Sequence, residues 1–166
     1  MTKNHAIPFQ FLLHPVHFLA LGLGSGMPRF APGTWGTLMA LALFILANGL
    51  FGSIHWHWLL VVVIFAAVFG IYLCDKTAKD LGVHDHGGIV WDEFVGFWLC
   101  LIGIPVSLYW LLAAFVLFRF FDILKPMPIK WADRRVQGGL GIMLDDIIAG
   151  AYVLLILHAA KWALGV

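Results

Sequence analysis

The chain has 166 residues, 62% of them hydrophobic and 11% charged, with a mean hydropathy of +0.95. Soluble domains carry about 25% charged residues, so the composition excludes an ordinary soluble domain and points to a membrane protein. A net charge of +1, with no Lys/Arg run interleaved with aromatics, argues against a nucleic-acid partner, and the length suits one membrane-embedded domain over 1–166.

Residues 5–20 are apolar but interrupted by His14, Pro15 and His17, which predicts an N-terminal interfacial helix rather than a span. No clean apolar run leads to a small-residue cleavage site, so no signal peptide is expected. The segment from Gly22 to Thr37 is rich in Gly and Pro, the mark of irregular backbone. At membrane depth such backbone is tolerated only where it lines a cavity or is buried in protein.

Trp35 to about Ser53 is long and apolar enough for a span. His55-Trp56-His57-Trp58 reads as an interfacial turn, and Leu59 to Cys74 as the returning span. That span ends in Asp75, Lys76, Lys79 and Asp80, whose i,i+4 spacing suits a helix emerging into water. Cys74 and Cys100 sit in or beside apolar segments and read as buried, inert thiols.

After a polar loop containing His84, Asp85 and His86, a short apolar run covers Ile89 to Ile104 and breaks at Pro105. Ser107 to Phe121 resumes it, and Tyr152 to Leu164 forms a last span. If 89–124 is a hairpin at Pro105, the segments 22–37, 75–93, 119–135 and 138–146 all reach one side. They hold all nine acidic residues and eight of the ten basic ones. A single unbroken span would divide that polar content between two faces, so the hairpin is preferred. The expected fold is all-α: a polytopic membrane bundle of about five membrane helices plus the interfacial helix. Lys/Arg-rich flanks stay cytoplasmic, which orients the polar side.

Three acidic groups enter apolar helices there: Asp92-Glu93, Asp122 and Asp145-Asp146. An ionised Asp at the middle of a bilayer costs roughly 2.5–3.5 kcal/mol even on lenient scales. Five carboxylates brought together need protons or cations, and hard oxygen ligands suit Mg²⁺, Mn²⁺ or Ca²⁺. The bland alternative for Asp122 is a local pair with Arg119 or Lys125 on the same helix. Arg119, Lys125, Lys130, Arg134 and Arg135 share the polar side with these acids, and guanidinium groups match phosphate oxygens. Gly138 and Gly139 precede a helix, where free N–H groups favour a phosphate, and the Gly-Ser-Gly around Ser25 offers the same. His84 and His86 read mainly as polar loop residues, with an outer-shell or general-acid role open.

Four blocks, Ala31-Pro-Gly-Thr-Trp-Gly-Thr37, Gly88-Ile-Val-Trp-Asp-Glu-Phe-Val-Gly96, Phe118-Arg-Phe-Phe-Asp-Ile-Leu-Lys-Pro126 and Gly138-Gly-Leu-Gly-Ile-Met-Leu-Asp-Asp146, closely resemble the phosphatidylglycerophosphatase A family. The resemblance covers nearly the whole chain. It implies a Mg²⁺-dependent lipid phosphatase of the bacterial inner membrane, with its site at the cytoplasmic face, that converts phosphatidylglycerophosphate to phosphatidylglycerol and phosphate. On that basis Asp92, Glu93, Asp122, Asp145 and Asp146 are expected to hold Mg²⁺, Arg119 and Lys125 to stabilise the transferring group, and Ser25, Thr34, Arg134, Gly138 and Gly139 to contact phosphate.

The chain has no Cys-(X)5-Arg loop, no Asp-X-Asp acceptor and no Ser-Gly-His motif. Metal-assisted attack of water and in-line attack by a carboxylate both stay open. A small ion or proton transporter built on the same acidic cluster is the alternative on physics alone. Nothing in the pattern fixes an oligomeric state.

Overall fold

A computed structural model describes residues 7–83 and 85–165, with the side chains of Asp133 and Arg134 outside the description. Among the described residues there is no strand. Two short turns open the chain, a 3-10 turn over Phe9–Leu13 and α1 over Pro15–Ala20, in place of one continuous interfacial helix. They are followed by α2 (Pro32–Phe51), α3 (Trp56–Leu81), α4 (Trp91–Cys100), α5 (Leu108–Leu124), α6 (Ile129–Arg135) and α7 (Gly138–Leu164).

Helices α2, α3 and α7 are each long and apolar enough to cross a membrane. The expected number of five is not reached on that measure. At 1.5 Å per residue, the 10 residues of α4 and the 17 of α5 span about 15 and 25 Å, short of a hydrocarbon core of about 30 Å. These two helices do form the hairpin. The chain turns back through 101–107, and the far end of α7 closes that turn: His158 Nε2 lies 2.9 Å from the Ile102 carbonyl, and Lys161 Nζ donates to the Gly103 carbonyl at 2.9 Å.

Local signals explain where the long helices begin and end. Pro32 occupies the first turn of α2, where its missing N–H is no loss, and Gly52 at φ 75° stops the helix. At the end of α3, Gly82 is left-handed, and the N–H groups of Gly82 and Val83 close on the Lys79 and Ala78 carbonyls.

The buried centre is α4, which packs on α7, α2, α3 and α5. Close approach depends on small residues, as is usual where lipid supplies no hydrophobic drive between helices. A Cβ on Gly96 would lie 2.6 Å from the Asp146 carbonyl oxygen and 2.8 Å from Phe118. One on Gly36 would lie 2.7 Å from Val90 Cβ. Two tryptophans of α4 spend their indole donors on helix carbonyls, Trp91 on Ala66 at 3.0 Å and Trp98 on Ala40 at 2.9 Å. The outer faces of α2 and α3 expose Leu46, Val61, Phe65 and Val68, as lipid-facing helices should.

The polar ends converge. Gly33 of α2 abuts Glu93 of α4 and Arg119 of α5, Lys125 reaches Asp145 of α7, and the N–H of Gly139 donates to Asp75 of α3 at 3.3 Å. One end of the bundle therefore gathers the charge, and His158 and Lys161 mark the other.

Candidate active site

The site is assembled from four helix ends. Asp92 and Glu93 stand in the first turn of α4, and Arg119 and Asp122 in the last turns of α5. Lys125 caps α5 in the left-handed region at φ 44°. Asp145 and Asp146 sit about two turns inside α7 rather than at a helix mouth, because 138–164 is a single 27-residue helix. The sequence pattern places these two acids at the entry of an apolar helix and the last span at Tyr152 to Leu164. Inside that helix Asp145 and Asp146 are 7% and 2% exposed, and Glu93 is 9% exposed.

Pairing divides the five acids. Arg119 Nη1 lies 2.5 Å from Asp122 Oδ2, and Lys125 Nζ lies 2.5 Å from Asp145 Oδ2. The local alternative is thus realised for Asp122, while Asp145 finds its cation only through tertiary structure. The other three, Asp92, Glu93 and Asp146, each place a carboxylate oxygen within 4.8 Å of the other two. Asp122 borders this triad beside Asp146, and Arg119 Nη1 approaches Glu93 Oε1 at 3.7 Å. Two charges at that spacing repel by about 3–4 kcal/mol at an effective dielectric of 20. Three such pairs exceed what a marginally stable fold tolerates without bound cation or protons.

Two oxygens of the triad, Asp92 Oδ1 and Glu93 Oε2, are buried with no hydrogen-bond partner among the described residues, and so is Arg119 Nε. Buried polar atoms are nearly always satisfied, so these atoms ask for a ligand. The donor set fits a hard divalent cation. The thiols are not part of it: Cys100 Sγ contacts the Gly96 carbonyl and Cys74 Sγ contacts Met143 Sδ.

The predicted phosphate contacts are distributed differently. Ser25 donates its hydroxyl to the Gly22 carbonyl at 2.7 Å and lines a separate, mostly apolar cavity with Pro28, Trp35 and Met39. Gly138 and Gly139 do open a helix, but the anion at that N-terminus is Asp75, which also pairs with Lys79. Thr34 lies in the first turn of α2 beside Gly33. The Arg134 side chain and His84 lie outside the described residues. His86 is buried, its Nδ1 accepting from the Gly88 N–H at 3.1 Å.

Thr37 and Gly33 are the residues that sequence reasoning passed over. The Thr37 hydroxyl donates to the Gly33 carbonyl at 2.8 Å and accepts from Arg119 Nη1 at 3.4 Å. Gly33 has no room for a side chain, since a Cβ there would run into Glu93 Oε1 and lie 3.0 and 3.1 Å from the two Arg119 Nη atoms. Their i,i+4 spacing on an apolar helix was the available signal.

The family model for phosphatidylglycerophosphatase A matches residues 18–161. A Haemophilus influenzae protein of that name is 47% identical over 98% of both chains. An Escherichia coli protein of the same name is 47% identical over 92% of this chain and 88% of its own. A Bacteroides thetaiotaomicron protein named "Putative phosphatidylinositol-3-phosphatase" is 38% identical, covering 89% of this chain and 94% of its own. No solved structure matches the chain.

Proposed function

Because the chain belongs to the phosphatidylglycerophosphatase A family and is a phosphatase, we propose that it removes the terminal phosphate of phosphatidylglycerophosphate, with Mg²⁺, at the cytoplasmic face of the bacterial inner membrane. The observation that carries the metal reading is the division of charge. Arg119 and Lys125 bind Asp122 and Asp145 at close range, while Asp92, Glu93 and Asp146 stand together with only a 3.7 Å approach of Arg119 to Glu93 and with two buried oxygens, Asp92 Oδ1 and Glu93 Oε2, unbonded.

When bound by that triad, Mg²⁺ would neutralise phosphoryl oxygens and lower the pKa of a water. The chain's own residues do the rest. Arg119 fixes Asp122 and Glu93 while keeping Nε as a donor for a phosphoryl oxygen. Thr37 holds the guanidinium from the α2 side. Lys125, at the head of the turn into α6, keeps Asp145 from adding a further charge to the neighbouring triad. Water oxygen bonds to phosphorus, one of the site carboxylates accepts its proton, and the bond from phosphorus to the glycerol oxygen breaks. The carboxyl group so formed returns that proton to the leaving alkoxide, which gives phosphatidylglycerol and inorganic phosphate and restores the carboxylate.

The transporter alternative would need acidic groups leading across the bundle. Among the described residues the acids gather at one end, and at the other His158 and Lys161 are engaged with backbone carbonyls.

The test is phosphate release from phosphatidylglycerophosphate in detergent by the purified chain. Release should stop with EDTA and return with excess Mg²⁺. Asp146→Asn and Glu93→Gln should each lower kcat by at least about 10³-fold, since phosphomonoester hydrolysis is among the slowest uncatalysed reactions. Wild-type turnover in both variants would refute the metal site, and no release from any lipid phosphate would refute the function.

A further inference from the structure

On the chain just past Lys125, α6 carries a basic pocket that the proposed chemistry does not use. Its walls are Met127, Lys130, Trp131 and Arg135, around about 230 Å³. The helix is seated by Ile129 and Ala132, both fully buried, so its other face is held outward. Lys130 and Arg135 make no ion pair among the described residues, unlike Arg119 and Lys125.

Its position relative to the site is fixed at two points. Met127 is two residues from Lys125, so their Cα atoms are at most about 7 Å apart, and Lys125 grips Asp145 next to Asp146. Tyr152, on α7, donates to the Met127 carbonyl at 3.2 Å. Trp131 is 52% exposed at the polar end of the bundle, where indoles sit at headgroup level. Two cations and an indole at that depth suit a lipid phosphodiester.

We propose that Lys130, Trp131 and Arg135 form a subsite for the phosphodiester of the lipid substrate, one glycerol away from the terminal phosphate held at the triad. The inference rests on the phosphatase reading above and adds a selection rule. The pocket engages a phosphate that is not hydrolysed, and so favours diacyl lipids whose headgroup carries a phosphomonoester beyond a phosphodiester. The same pocket would hold the product, which keeps the diester.

The test uses the full chain in mixed micelles and the Lys130→Gln/Arg135→Gln double variant. Three readouts are taken: KM and kcat for phosphatidylglycerophosphate, the inhibition constant of phosphatidylglycerol, and that of inorganic phosphate. Loss of two charge-assisted contacts should raise KM and the phosphatidylglycerol constant together by about tenfold or more. The kcat and the inorganic phosphate constant should stay near wild type. Arg29→Ala, an exposed charge removed outside α6, should change none of them. An unchanged KM overturns the proposal. So does an equal rise in the inorganic phosphate constant, which would make the pocket a free-phosphate site. An equal effect from Arg29→Ala would reduce it to general surface charge. Each single variant gives a second measurement if the double one folds poorly. Failure of the phosphatase reading itself would appear separately, as a wild-type chain that releases no phosphate.

Discussion

Gly33→Ala separates catalytic geometry from fold stability within one residue. The added Cβ would overlap Glu93 Oε1 and stand 3.0 and 3.1 Å from Arg119 Nη1 and Nη2. Carbon contacts settle near 3.5 Å or beyond, so Glu93 must retreat by on the order of 1 Å. A shift of that size at a reacting centre costs roughly 10²-fold in rate. The intrinsic effect on stability has the opposite sign, because Gly→Ala in a compatible helical position stabilises by about 0.4–1 kcal/mol through the unfolded state. Gly49 provides the control on the same helix, since a Cβ there meets nothing within 4 Å. The expected result is kcat/KM down about 100-fold for Gly33→Ala and unchanged for Gly49→Ala. Gly49→Ala should also unfold at a slightly higher temperature in detergent. Phosphate release and thermal unfolding of the two variants, side by side, are the assays. If Gly33→Ala kept activity within about threefold of wild type, the α2 end would not constrain Glu93 and the site geometry argued above would be wrong.

Arg119→Lys should behave as a severe change although charge is conserved. One ammonium cannot reach Asp122, Glu93 and Thr37 together, so kcat should fall by about 10²–10³-fold. Gly96→Ala should lower unfolding stability by about 1–3 kcal/mol, because a Cβ would press on the Asp146 carbonyl and the Phe118 ring; denaturant titration in detergent measures it. His17 makes a pH prediction for the α1–α3 contact, where Nδ1 meets Thr77 at 2.9 Å and Nε2 meets Asp80 at 3.1 Å. Burial, then His14, pushes its pKa below the ordinary 6.5; Lys76 adds to this and Asp80 opposes it. Below 6.5 the unfolded chain therefore binds more protons, and the stability held above 6.5 is lost as pH falls through the folded value. Thermal unfolding should be flat above pH 6.5 and decline below it, with a smaller decline in His17→Gln.

Charge was the legible part of this sequence, and continuity of helices was not. Ionised groups are costly in a bilayer, so their clustering in four segments predicted one polar end and the hairpin, and the structure brings those segments together. The run Gly138-Gly-Leu-Gly141 looked like a break that would bind phosphate. It is instead the start of α7, its glycines letting the helix lie against α3 at Ile71 and Asp75. Small residues needed for close approach and small residues needed for flexibility are identical in a single sequence. Only the partner helix distinguishes them. The same holds for Ser25, whose hydroxyl is taken by a carbonyl three residues back, and for Asp145, whose cation lies 20 residues away.

That last pairing is what gives the five acids different work. On sequence alone all five were candidate ligands of one crowded set, and only Asp122 had a basic residue within a helical turn to pair with. In the fold, Arg119 near the end of α5 binds Asp122 closely and approaches Glu93, and Lys125 just past that end binds Asp145. Both cations are held at fixed points: Arg119 by Thr37 on α2, Lys125 by the left-handed turn that ends α5. Three carboxylates are left, two from the first turn of α4 and one from within α7. Those helices are locked together where Gly96 meets Gly150 and the Asp146 carbonyl. The rigid contact lies one turn from the triad on each helix, so the spacing of the acids is set by glycine packing rather than by the acids themselves. This is why a methyl group at Gly96 and a charge removed at Glu93 should both impair the same site, the first by moving its walls and the second by removing one.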